Sequence, residues 1–125
     1  MDLKELEYDY NEMVSALAKP GDDIKASLSG SNCDLIHMLL LLSGEVGELI
    51  DAYKKHLIYR KDLNREHVVE ELGDIEFALA RIRQIMGLNR KYVILRNMDK
   101  LRKRYTEGVY SDKEAKERKD KNINQ

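Results

Sequence analysis

A single cysteine, Cys33, leaves the chain without any intrachain disulfide, and a small buried or loop thiol is its expected role. There is one proline, one phenylalanine and no tryptophan, and no stretch alternates in the way a half-buried strand requires. No internal repeat or domain linker is visible. The longest apolar run, Met38 to Leu42, is far too short to cross a bilayer. The first ten residues, MDLKELEYDY, are acidic and lack the basic and apolar regions of a signal peptide, so a cytoplasmic protein is expected. Neither charge sign dominates. A formal net charge of −1 gives no overall pull toward nucleic acid or an anionic membrane, and neither is expected as a partner.

What remains is a chain of 125 residues with 36% charged and 42% hydrophobic side chains, which suits one compact domain built from helices with solvated faces. Leu3, Leu6, Tyr10, Met13 and Leu17 recur at helical spacing and predict a helix over about 2–18, stopped by Pro20-Gly21. Residues 22–32 read as a loop with at most one helical turn, and Ser31 or Asn32 is placed to cap the next helix. That second helix is predicted over about 33–58, on a stripe from Leu35 to Tyr53. Asn64 caps a third that runs to Gly87, and a fourth covers about 89–106. The expected fold is all-α, a four-helix-bundle type. One domain spans 1–110, and the charged segment 111–125, nearly devoid of large apolar residues, is expected to be a flexible tail.

Two acidic patterns carry the chemistry. The second helix holds Glu45-Val46-Gly47-Glu48 and the third holds Glu71-Leu72-Gly73-Asp74. Acids three residues apart share a helix face, and both pairs border the apolar stripes, so antiparallel packing of the two helices brings all four together. Gly47 and Gly73 each cost about 1 kcal/mol inside a helix, which close helix approach or room for a ligand would offset. Four converging carboxylates repel one another unless a cation neutralises them. An all-oxygen set suits Mg²⁺, with Mn²⁺ as a substitute. Zinc is less apt, because His37, His56 and His67 show no pairing with the acids, and a di-iron centre would need Glu-x-x-His pairs, which are missing. Acids three apart on charged helices are also common without any ligand.

Residues 90–104 contain seven Lys or Arg and one Asp. Asn97, Lys100 and Arg104 share a face beside Leu101 and Tyr105, a suitable arrangement for phosphate oxygens. Arg96, Arg102 and Lys103 read as the solvated side of that helix. A nucleic-acid patch is disfavoured by the near-neutral charge and the lack of interleaved aromatics. Lys55 lies toward the Glu48 side of the second helix, where it can meet a substrate or pair with Asp51.

SGEVGELIDAYKK, VVEELGDIEFALA and NMDKLRKRYTEG, in that order, resemble the MazG-like all-α nucleotide pyrophosphohydrolases. Their Glu-x-x-Glu and Glu-x-x-Asp signatures fall on Glu45, Glu48, Glu71 and Asp74, with 22 residues between the two motifs. Their Asn-x-x-Lys-Leu-x-x-Arg-Tyr segment falls on Asn97, Lys100, Leu101, Arg104 and Tyr105. The resemblance covers about residues 35–111. Glu76-Phe77 stands where many relatives carry an apolar residue and Trp, and the 19–32 loop has no clear counterpart in the shortest members; both bear on base recognition.

The resemblance implies a bundle completed by dimerisation and Mg²⁺ held by Glu45, Glu48, Glu71 and Asp74. It implies cleavage of nucleoside or deoxynucleoside triphosphates between the α and β phosphates, releasing a monophosphate and pyrophosphate. Glu48 or Glu45 is then the expected base, Lys100 and Arg104 stabilise the departing pyrophosphate, and Asn97 and Lys55 join them in binding substrate. Three alternatives stand beside this reading: a dUTP- or dCTP-specific enzyme, a phosphoribosyl-ATP pyrophosphohydrolase, and a non-catalytic helical interaction module. The third helix is apolar on more than one side, with Phe77 nearly opposite Leu72, Ile75 and Leu79. A homodimer or homotetramer with Phe77 near the contact is therefore expected.

Overall fold

The computed structural model describes residues 1–121, which are all-α, with no strand among them. In chain order the helices are α1 (Leu3–Leu17), α2 (Gly21–Lys25), α3 (Gly30–Leu57), α4 (Arg65–Met86), α5 (Arg90–Arg104) and α6 (Asp112–Glu117). The four long ones are the four expected helices. None is long and apolar enough to cross a membrane.

Local chemistry sets the helix ends. The Asp2 side chain accepts from the Glu5 amide while Glu5 reaches back to the Asp2 amide, a reciprocal cap that starts α1. Asn64 accepts from the His67 amide and Asn89 from the Lys91 amide, each worth about 1 kcal/mol against alanine. Gly87 closes α4 in the left-handed region at φ 64°, where a side chain is disfavoured. At the start of α3 the capping oxygen belongs to Ser29, which accepts from the Asn32 amide, and not to Ser31 or Asn32.

The chain divides into two compact units, Met1–His37 and Met38–Gln125, where a single domain over 1–110 is expected from sequence. In the first unit, Pro20 accepts from the Asp23 and Ile24 amides to begin the short α2, and Asn32 donates from Nδ2 to the Ser27 carbonyl. The apolar stripe of α1 is exposed along its length. Cys33 lies in the first turns of α3 and is exposed, neither buried nor in a loop.

The second unit holds the later part of α3 together with α4, α5 and α6. The residues between α3 and α4 are held by the Lys61 amide donating to the Lys55 carbonyl and by a 2.8 Å bond between His56 Nδ1 and the Lys61 carbonyl. Glu71 meets Glu45 and Glu48, while His67, one turn earlier on α4, shares a cavity with Glu48 and Asp51 further along α3. The two helices therefore run antiparallel. Met38 and Ala78 are the buried apolar residues among those described, whereas Leu39, Ile50, Leu72 and Phe77 stay exposed.

Part of the segment 111–125, where a flexible tail is expected, folds as α6. Residues 111–121 are anchored: Ser111 caps α6 by accepting from the Glu114 amide, and Glu114 accepts from both the amide and the hydroxyl of Thr106. Residues 122–125 of the expected tail lie outside the described residues.

Candidate functional site

Glu45 and Glu48 sit one turn apart on α3, Glu71 and Asp74 one turn apart on α4. One carboxylate oxygen from each of Glu45, Glu71 and Asp74 lies within 4.8 Å of the other two. Glu48 belongs to the same constellation through its interaction with Glu71. The depth of the four differs: Glu71 is only 4% exposed, Glu45 half-buried, and Glu48 and Asp74 exposed.

Glu71 Oε2 is buried without a hydrogen-bond partner. The Glu71 carboxyl is pushed up to about 8, chiefly because its protonated form can hydrogen-bond with Glu45, then by burial, then by the hydrogen bond and charge of Glu48. Removing a carboxylate from water without a counter-charge is costly, and three more acids nearby increase that cost. An orphaned buried oxygen inside an oxygen-only donor set fits a hard divalent cation, and the group contains no sulfur or nitrogen ligand.

A cavity of about 450 Å³ opens beside the acids, lined by Gly44, Gly47, Glu48, Asp51 and His67. A Cβ added at Gly47 or Gly73 would meet nothing within 4 Å, so within this chain neither glycine permits close helix approach. Room beside the acids is what Gly47 provides. His67 corrects the sequence reading, since its Nδ1 lies 3.6 Å from Glu71 Oε1. The spacing of four residues on one helix was the available signal.

Lys55 pairs with Asp51: its Nζ is 2.8 Å from Oδ2, which holds the Asp51 carboxyl below the ordinary carboxylate value and the Lys55 amine above its own. Asn97 and Lys100 line a second cavity, about 590 Å³, together with Arg96, Asp99, Lys103, Asp120 and Lys121. That cavity shares no residue with the acid cluster. Arg104 is engaged by Asp120, with Nε 2.8 Å from Oδ1 and Nη2 3.1 Å from Oδ2. The Arg104 side chain is 17% exposed and that of Asp120 2%. This fork holds the Asp120 carboxyl below its ordinary value. Asp120 and Glu114, sixteen and eight residues from their partners, carry no periodic signal in the sequence.

The family model for the MazG nucleotide pyrophosphohydrolase domain matches residues 34–109, well over half of the chain and inclusive of all three motifs. Neither the curated proteins nor the solved structures include one that matches.

Proposed function

We propose that this chain, which belongs to the MazG nucleotide pyrophosphohydrolase family, cleaves nucleoside or deoxynucleoside triphosphates with Mg²⁺, releasing a monophosphate and pyrophosphate. The orphaned Glu71 oxygen among Glu45, Glu48 and Asp74 is the observation that carries this reading. A buried carboxylate crowded by three acids, with only the His67 imidazole at 3.6 Å to set against them, is a poor device for stability and a good one for holding a cation.

Glu45, Glu71 and Asp74 would hold the ion, with Glu48 beside them. Bound there, Mg²⁺ supplies Lewis-acid polarisation of phosphate oxygens and makes nearby water a stronger acid. Glu48 is the chain's best base: it is exposed, borders the cavity with Gly47, and stands outside the three-acid group whose oxygens lie closest. It takes the proton of the water that attacks the α-phosphorus. Lys100 and Arg104 stabilise the charge that builds on the departing pyrophosphate, and Asn97 beside Lys100 orients the chain of phosphates.

A second copy of the chain completes the assembly. Phe77 is 63% exposed and Leu72, Ile50 and Leu39 are exposed too, more apolar surface on two adjacent helices than a soluble monomer ordinarily leaves in water. A homodimer, or a homotetramer built from it, covers this surface. Static light scattering at low micromolar concentration tests it, and a folded, active monomer would sink it. The activity is tested by incubating the eight common NTPs and dNTPs with Mg²⁺ and identifying the products. Pyrophosphate with a monophosphate is expected; orthophosphate, or no turnover of any, overturns the reading.

A further inference from the structure

The C-terminal anchor lies against the same helix face that the proposed function assigns to phosphate. Arg104 is the last residue of α5, and both its Nε and Nη2 donate to Asp120, so one carboxylate takes the Nε–Nη2 edge of its fork. A carboxylate gripped in two places presents the oxygen spacing that a phosphate would offer to the same guanidinium. Asp120 also lines the cavity that contains Lys100, Asn97, Arg96 and Lys121. Arg96 and Lys100 have no ion-pair partner among the described residues, whereas Lys103 is matched by Asp99 at 3.1 Å. Asp120 thus links Arg104, which does not itself line the cavity, to a space where Arg96 and Lys100 carry unmatched positive charge.

The segment bearing Asp120 is weakly built. The six residues of α6 are too few for a helix to persist in water without outside support. Its support comes from two acids, Glu114 on Thr106 and Asp120 on Arg104. An anion carrying more charge than one carboxylate, and able to meet Lys100 as well as Arg104, has the means to displace Asp120.

We propose that residues 111–121 form an autoinhibitory latch, in which Asp120 occupies Arg104 until a polyphosphate displaces it and frees the segment. The proposal rests on the phosphate role assigned above to Arg104, and is tested by binding alone. Inorganic pyrophosphate is titrated into the full chain in EDTA, so that neither metal nor turnover enters. Asp120→Asn, which keeps the size and removes the charge, is expected to bind pyrophosphate roughly fivefold or more tightly, a typical coupling between competing sites. Glu114→Gln loosens the other anchor without touching Arg104, and is expected to act in the same direction with a smaller effect; it serves if the Asp120 variant fails to fold. In the unaltered chain, saturating pyrophosphate should speed amide exchange over residues 114–121.

Unchanged or weaker binding by both variants overturns the latch and makes Asp120 a strut. So does slowed or unaltered exchange over 114–121 on adding pyrophosphate. The two readings fail separately. Tighter binding by Asp120→Asn in a chain that hydrolyses no nucleotide leaves the latch and removes the hydrolase, and an active chain without these responses does the opposite.

Discussion

Buried carboxylates occur at two places in the second unit, and they behave in opposite ways. On α3 and α4, Glu71 is surrounded by acids and pushed up to about 8, with one oxygen left without a partner. Between α5 and α6, Glu114 accepts two bonds from Thr106 and Asp120 is gripped by Arg104, and both lie below their ordinary values. Glu114, at 9% exposure, is nearly as buried as Glu71. Burial therefore does not set the direction; the partners do. The second set finds its partners within the chain, whereas in the first, one buried oxygen of Glu71 has none.

Breaking the two sets should have different consequences. The largest effect is expected at the acids. Alanine at Glu45, Glu71 or Asp74 should lower turnover with Mg²⁺ by well over about 10²-fold, since loss of even an outer partner of a ligand costs up to that much. In EDTA the same variants should melt no lower than the parent, because each relieves crowding. Two of them with near-normal rates would show that the ion is held elsewhere.

At the basic end, activity and stability are expected to separate. Lys100→Ala should cost about 10²-fold in turnover, as a lost donor to developing charge does, with little change in melting. Arg104→Ala should lose a similar factor and also melt lower, because it leaves Asp120 buried and unpaired. Arg102→Ala is expected to be nearly silent in both. Equal losses at Arg102 and Arg104 would point to a diffuse field in place of specific contacts.

The third effect is a slope with pH. The folded value for Glu71 lies above its unfolded value, so its contribution favours folding at low pH and is lost as pH rises toward about 8. Melting in EDTA, at fixed protein concentration, should therefore fall between about pH 5 and 8. Glu71→Gln, neutral throughout, should flatten that fall, and saturating Mg²⁺ should flatten it in the parent. An unchanged slope in the glutamine variant would assign it to another group.

Legibility in the sequence divides along the same line. Helix ends are written in side chains next to the backbone they satisfy, so Asn64 and Gly87 could be read directly, while Asn89, expected as the start of the fourth helix, is in fact its cap. The acid cluster was legible because two spacings of three on neighbouring antiparallel helices converge by geometry alone. His67 was equally readable, four residues before Glu71, and its pairing with that acid was missed. The α6 anchor was not readable: Glu114 and Asp120 find their partners across a turn, and SDKEAKERKDK has no apolar period to betray a helix. The apolar stripes were legible as stripes. Their cover was not, because most remain open in the single chain.

The smallest expected effect has the opposite sign of pH dependence from Glu71. Thr106→Val removes the hydroxyl that donates to Glu114 Oε2 at 2.8 Å and leaves the 3.0 Å amide bond in place. One hydrogen bond is typically a modest net contribution, so melting should fall by about 4 °C or less. Glu114 is held below its ordinary value, mainly by the Thr106 amide and then by the Thr106 hydroxyl. Its contribution is thus present above the unfolded value and lost as pH falls through the folded one. The gap between parent and variant should then be flat over about pH 5 to 8 and close in more acidic solution. A gap that instead widens in acid would mean that Glu114 is protonated in the folded chain. Its two bonds would then be those of a neutral acid, and the contrast with Glu71 would collapse.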